Sequence, residues 1–278
     1  MNICISWATW FLGQWLVKKL LKQDHTITIL SRSKSKVESV FGDMVAVVLW
    51  DTLQSKDLEW IEAVIHLAGA PLFRFPWSTS YKKTIYNSRI HTTRKLVAVL
   101  PESCHIFLCW SAVWYYPSSE EIVYDETYCN NSPNSFLENV CIDREREAMK
   151  ANAPHRRVVL LRTSIVEWDQ WIRKKILQAT KWFGWVILGS WDQYLSLITD
   201  SSRCNKVIEC MHTPTLTWPV NLVDRTITMK AYIREIAQQT QRPVWRFTIP
   251  DRILICVLQW LSNLVLDSHK IYSRYFKN

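Results

Sequence analysis

Glycine is scarce in this chain: five residues in 278, about 2% where a globular protein usually carries about 7%. That deficit excludes collagen-like chains, glycine-rich linkers and any solenoid that needs a glycine in each repeat. Metal-binding patterns are absent too. The eight cysteines and seven histidines form no Cys-x-x-Cys pair and no zinc-like Cys/His spacing, so no metal site is expected. Neither His-Glu-x-x-His nor Gly-x-Ser-x-Gly occurs, which removes the usual support for a hydrolase. The longest apolar run, Ile253 to Leu266, is broken by Gln259, Ser262 and Asn263. It falls short of the roughly 20 residues that cross a bilayer and reads as a packed or interfacial helix. Met1 to Ser6 lacks the basic flank and cleavable apolar segment of a secretory leader. A cytoplasmic location with reduced thiols is the expectation.

Apolar residues make up 48% of the chain, charged residues 21% and aromatics 13%, a composition that folds rather than one that stays disordered. Tryptophan, at 16 residues, is as abundant as glycine is rare. The net charge of +9 raises a nucleic-acid partner, with Lys270, Arg274 and Lys277 interleaved with Tyr272, Tyr275 and Phe276. Asp24, Glu38 and Asp267 dilute the basic clusters and no nucleic-acid motif is present. A solvated basic surface, with no specific nucleic acid and a small-molecule substrate as the partner, is expected.

Short, continuously apolar runs at Asn2–Ser6, Thr26–Leu30, Met44–Leu49, Ala63–Leu67, His105–Trp110 and Arg157–Leu161 read as strands of a parallel sheet covered on both faces. Between them lie helical patterns at Phe11–Leu21, Thr79–Leu100 and Asn134–Asn152. The pattern predicts an α/β fold: a Rossmann-like doubly wound parallel sheet over residues 1–165, complete by residue 163, and a smaller C-terminal α/β subdomain over 166–278. In the latter, helices are expected at Trp171–Phe183 and Met229–Gln239, a turn at Gly184, a proline-punctuated stretch at Pro214–Pro219, and a strand at Val244–Ile249.

Several ordered segments resemble the atypical short-chain dehydrogenase/reductases of the epimerase family, the sugar-nucleotide epimerase-like proteins. They are Trp7-Ala8-Thr9-Trp10-Phe11-Leu12-Gly13, Leu30-Ser31-Arg32-Ser33, His66-Leu67-Ala68-Gly69-Ala70-Pro71, Ser88-Arg89-Ile90-His91-Thr92-Thr93-Arg94, Ser111-Ala112-Val113-Trp114-Tyr115-Tyr116, Phe136-Leu137-Glu138-Asn139-Val140-Cys141, Leu161-Arg162-Thr163 and Pro219-Val220-Asn221. The resemblance implies a dinucleotide site in which the turn after the first strand, with Thr9, Phe11, Leu12 and Gly13, meets the pyrophosphate. The end of the second strand, Ser31 and Arg32, meets the adenosine ribose. An arginine beside a small hydroxyl suits a 2′-phosphate and hence NADP, while a solvated basic turn is the plainer alternative. Leu67, Ala68, Gly69 and Arg89 are implied to border the ribose and nicotinamide.

This chain departs from that pattern in one direction. The family's turn has glycines at the positions that are Trp7, Trp10 and Gly13 here, and only the last is kept. Trp114, and Trp168 after Ile165-Val166, also stand at family glycine positions. An indole at residue 7 or 10 fills space the pyrophosphate needs, so either the chain no longer binds cofactor or its sequence has been altered. Ser111 matches the serine that orients a substrate hydroxyl or carbonyl. No Tyr-x-x-x-Lys occurs, so the usual proton-transferring pair is missing, and Tyr115, with Tyr116 beside it, is the substitute phenol. Packing of one tyrosine and exposure of the other is the competing account. Cys141, between Val140 and Ile142, reads as an inert, partly buried thiol. Two functions follow: an NADP-dependent oxidoreductase or epimerase-like enzyme, or a non-catalytic Rossmann-like protein with a blocked site.

Overall fold

The computed structural model describes residues 1–72, 74, 77–167, 185–188, 192–240, 244–249 and 267–276. The expected helix Trp171–Phe183, the turn at Gly184, the apolar run Ile253–Leu266 and Trp168 lie outside them. The elements run β1 (Asn2–Ser6), α1 (Phe11–Leu21), β2 (Thr26–Ser31), α2 (Lys34–Phe41), β3 (Ala46–Leu49), β4 (Ala63–His66), α3 (Thr79–Val97), β5 (Ile106–Ala112), β6 (Val123–Tyr124) and α4 (Phe136–Met149). They continue as β7 (Arg157–Thr163), β8 (Ile165–Glu167), β9 (Trp185–Leu188), β10 (Tyr194–Thr199), α5 (Asp200–His212), β11 (Trp218–Leu222), β12 (Arg225–Thr228), α6 (Met229–Thr240), β13 (Val244–Ile249) and β14 (Lys270–Ile271).

Two compact units result. The first comprises residues 1–112, 140–162 and 204–220. Its framework is a seven-stranded parallel sheet ordered β11-β7-β5-β4-β1-β2-β3, whose β3-β2-β1-β4-β5 part is the doubly wound arrangement. Strand order reverses between β1, which leads to β2 on one side, and β4 on the other. Every residue of β4 is buried, as are Ile3, Cys4 and Ile5 of β1, because helices cover both faces of such a sheet. Helix α1 buries Gly13, Leu16, Val17 and Leu20, one helical stripe. The core on one side gathers Trp50, Leu58, Phe107, Leu160 and neighbours. Ser33 and Ser78 accept from the backbone N–H groups of Lys36 and Tyr81 and so cap α2 and α3.

The sheet does not stop at residue 163. Trp218–Leu222 joins it as the seventh strand and contains Pro219, which an outermost strand tolerates because one side of its backbone needs no partner.

The second unit comprises residues 113–139, 163–203 and 221–278. It holds a three-stranded sheet, β12-β10-β8, with β10 antiparallel to β12 and parallel to β8, and the strand pairs β13-β9 and β14-β6. Val113, Tyr116, Tyr124, Val223 and Ile271 form its apolar cluster. Among the described residues no helix is long and apolar enough to cross a membrane, and no group of three or more His, Cys, Asp or Glu can hold a metal ion. Seven described cysteines are free thiols, six of them buried.

Candidate functional site

Strand β1 ends at Ser6, and the chain turns through residues 7–10 into α1. The turn therefore lies at the carboxyl edge of the sheet, beside the reversal in strand order where such folds hold ligands. Trp7 has φ 62°, the left-handed region in which an L side chain crowds the next carbonyl at a cost of roughly 1–2 kcal/mol. Its N–H donates to the Leu30 carbonyl at 3.3 Å, which ties the turn to the end of β2. Trp10 is the N-cap of α1, extended and without a side-chain capping bond. Gln14 Nε2 donates to the Thr9 carbonyl at 2.8 Å. At Gly13 a Cβ would sit 2.4 Å from the Ala8 Cα, so only glycine allows α1 this close to the turn. The positive end of the α1 dipole points into the same turn.

A cleft of about 320 Å³ opens between the turn and β2, lined by Trp7, Thr9, Trp10, Ser31, Arg32 and Lys36 among others. Ser31 Oγ accepts from the Ser33 N–H at 3.2 Å, and Ser33 Oγ accepts from the Lys36 N–H at 3.3 Å. This double turn sets Arg32 at the rim. The Arg32 guanidinium carbon lies 5.1 Å from the centroid of the Trp7 ring, within the range of a cation–π contact. Thr9, Ser31 and Arg32 thus share one cleft, while Phe11 is exposed, Leu12 half-buried and Gly13 buried, all in the first turn of α1. Lys36 is an additional basic lining residue, on the first turn of a helix whose serine cap is legible in Ser33-Lys34-Ser35-Lys36.

The loop after β4 is held from three sides. Ser6 Oγ accepts from the N–H groups of Leu67 at 3.0 Å and Ala68 at 3.2 Å, and it bonds His66 Nδ1 at 2.9 Å. His66 Nε2 pairs with Thr93 Oγ1 at 3.1 Å. Burial, with the nearby Arg144 cation second, holds the His66 pKa well below the usual histidine value, so the ring is neutral. Ser88 Oγ accepts from the Ala70 N–H at 2.8 Å, and Arg89 Nη1 donates to the carbonyls of Ala70 and Ile85. A Cβ at Gly69 would lie 3.0 Å from the Arg89 guanidinium carbon. Leu67, Ala68, Gly69 and Arg89 are therefore brought together, with Arg89 spending donors on backbone carbonyls. Ser6 was not singled out from the sequence, because a serine inside an apolar strand carries no local signal, and His66 entered only as the first residue of a family segment, without a role.

Ser111, at the end of β5, is buried, and its hydroxyl donates to Glu145 Oε1 at 2.6 Å. Glu145, on α4, also accepts from Arg162 Nε at 3.0 Å and Nη2 at 2.8 Å. Both charges are buried, so the bidentate bond and the serine together satisfy what water would otherwise solvate. Arg144 donates to the His66 carbonyl at 3.2 Å, and its buried Nε has no partner among the described residues. Burial, with Glu145 second, pushes the Cys141 thiol up to about 12, which makes it inert as a nucleophile.

Tyr115 belongs to the second unit, half-buried against its apolar cluster, with its hydroxyl oxygen accepting from the Asn130 N–H at 3.2 Å. Asn130 Nδ2 in turn donates to the Tyr115 carbonyl and to Glu138 Oε2, each at 2.9 Å. Tyr116 is wholly buried, and its hydroxyl donates to Asn221 Oδ1 at 2.8 Å. Trp114 lies edge-on to His269, ring centroids 6.4 Å apart.

The model of the NAD dependent epimerase/dehydratase family matches residues 3–139. Over 283 residues the chain is 30% identical to the epimerase family protein SDR39U1 homolog, chloroplastic, of Arabidopsis thaliana, covering 98% of this chain and 80% of the relative. It is 26% identical over 274 residues to the epimerase family protein YfhF of Bacillus subtilis, covering 97% and 89%. The crystal structure of human epimerase family protein SDR39U1 with NADPH superposes with a TM-score of 0.81 at 20% identity, covering 99% of this chain and 92% of that one. UDP-glucuronic acid 4-epimerase of Bacillus cereus, in complex with NAD, gives 0.74 at 15% identity, covering 90% and 87%.

Proposed function

This chain belongs to the epimerase family, and from that premise we propose that it is an NADP-dependent oxidoreductase or epimerase-like enzyme acting on a small or nucleotide-linked polar substrate. The observation that carries this reading is the cleft at the carboxyl edge of β1 and β2, where Ser31, Arg32 and Lys36 gather at one rim. Two cations and a hydroxyl suit a 2′-phosphate, and the start of α1 suits a pyrophosphate. The relatives crystallised with NADPH or NAD support a dinucleotide. In this family the nicotinamide exchanges hydride with the substrate and, in an epimerase, returns it to the same molecule. In the reading proposed here the loop at Leu67, Ala68 and Gly69 borders the ribose and nicotinamide, with Arg89 holding that loop in place. Ser111, whose proton goes to Glu145, accepts from a substrate hydroxyl, and Tyr115 is the nearest phenol in sequence. In this reading the first unit, residues 1–112, 140–162 and 204–220, carries the cofactor, in a cytoplasmic protein.

The two halves of the cleft do not fit the cofactor equally. The 2′-phosphate rim suits it, whereas Trp7 and Trp10 line the space a pyrophosphate requires. That observation favours the second reading, a Rossmann-like protein without catalysis, for the chain bearing both indoles. Titration with NADPH and NADH, read by tryptophan quenching and energy transfer to the reduced nicotinamide, separates them. Tight stoichiometric binding by the chain as it stands would refute the steric argument. The double variant Trp7→Gly/Trp10→Gly is expected to bind NADPH in preference to NADH. Adding Arg32→Ala to it should weaken NADPH by about tenfold or more, the worth of one charged hydrogen bond, and leave NADH unchanged. A double variant that binds neither nucleotide sinks the first reading.

A further inference from the structure

The tryptophans of this chain fall into two physical classes. Trp50 and Trp77 behave as tryptophans: each is 8% exposed, Trp50 inside the core, and Trp77 with its indole N–H donating to the Leu72 carbonyl at 2.9 Å. A large apolar ring with a satisfied polar tip is what that residue contributes to a fold. Others occupy glycine positions. Trp7 and Trp218 have φ of 62° and 65°, a conformation that is an outlier for a bulky side chain and ordinary for glycine. Trp10 and Trp60 sit at tight turns, 49% and 75% exposed. Trp7 and Trp10 fall, with Gly13, in the strand–turn–helix where a nucleotide fold needs glycine for close backbone approach.

We infer that Trp7, Trp10, Trp60 and Trp218 are glycines in the protein as its own cell makes it, written in the gene with the codon UGA, which one genetic code reads as tryptophan and another as glycine. The composition runs the same way: exchange at these four positions raises glycine from five residues in 278 to nine, toward the usual share of about 7%. So does its direction. Glycine codons change by single bases to alanine, valine, aspartate, glutamate, serine, cysteine, arginine or tryptophan, so drift away from glycine would scatter over all of these. Here the replacements at strained or turn positions converge on one residue, the signature of a codon read two ways. The inferred chain has an open Gly-x-x-Gly-x-x-Gly turn over residues 7–13, and its functional consequence rests on the cofactor reading above.

The test is the gene sequence together with peptide mass spectrometry of the protein purified from its native source. UGA at positions 7, 10, 60 and 218 with UGG at 50 and 77, and native peptides lighter by the tryptophan–glycine difference at the first set alone, is the expected result. UGG at 7 and 218, or native peptides that carry tryptophan there, overturns the inference. The chain made with glycine at the four positions then serves the cofactor question separately. Native glycine with no NADPH binding by that chain would leave the decoding standing and remove the NADP reading.

Discussion

At Trp218 the backbone conformation and the side chain disagree. The residue stands at φ 65° with more than half of its surface in solvent, so its side chain contributes little packing against a backbone cost of roughly 1–2 kcal/mol. Trp218→Gly is therefore expected to leave stability unchanged or raise it by up to about 1 kcal/mol, read as the urea midpoint. Trp77→Ala, which empties a buried site and strands the Leu72 carbonyl, should cost about 3–5 kcal/mol. Equal losses in the two variants would refute the division of the tryptophans. Asp24, also at positive φ with 58°, needs no such account, because aspartate tolerates that region through local hydrogen bonding. None of these angles can be read from the sequence, although the family pattern pointed to residues 7 and 10 because it asks for glycine there.

Among the elements, β5, α4 and β7 meet at one buried charge cluster. Glu145 of α4 accepts from Ser111 of β5 and from Arg162 of β7, so the acid fixes the serine hydroxyl as a donor toward α4. Glu145→Ala would take from the buried Arg162 cation its bidentate carboxylate partner, with an expected loss of about 3–5 kcal/mol in chemical denaturation. The double variant Glu145→Leu/Arg162→Met should recover most of it, since an apolar pair of similar volume avoids the stranded charge. Failure of that recovery would show that the cluster does more than neutralise itself. The sequence made these strands and helices legible through their apolar runs, and it placed Ser111 and Arg162 in separate motifs. It did not reveal that one glutamate joins them, because Glu145 lies in a run of helix-forming charged residues that looks like a solvated face. Helix α5 was legible but passed over: Cys204, Val207, Ile208 and Met211 are buried at helical spacing, yet the segment opens on polar Asp200-Ser201-Ser202.

For the whole molecule, buried ionisable groups set how stability responds to pH. His66 in the first unit lies well below the usual value, and His269 in the second is lowered to about 4 by burial, against the opposing hydrogen bond to the Tyr116 carbonyl and the charge of Glu138. A histidine held neutral in the fold contributes stability that is complete above its unfolded value, about 6.5. That contribution is lost as pH falls through the folded value, because only the unfolded chain binds the proton. Asp267 acts in the opposite sense: burial, then Glu138, raises it from 3.8 to about 7. Its contribution is complete below 3.8 and lost as pH rises through about 7. Asp267→Asn should therefore exceed the parent in unfolding free energy by about 4 kcal/mol at pH 8, the gap closing toward pH 4. A constant gap across that range would contradict the assignment.

The amino-acid sequence by itself determined the fold class, the positions along the chain of six of the seven strands of the main sheet, and the family. Alternation of apolar runs with helical stripes is a local property, and the motif order needs no coordinates. It also located the turn after β1 and the glycines that the family pattern asks for there. Tertiary structure alone decided that Trp218–Leu222 completes the sheet, that Ser6, Ser88 and Arg89 hold the loop after β4, and that Arg32 faces Trp7 across the cleft. Each of these joins residues far apart in the chain, and such bonds are set by the packing of the sheet rather than by any neighbour in sequence. The strain at Trp7 and Trp218 belongs to both levels: the residue type is written in the chain, while the positive φ that suits glycine exists only once the turn is closed.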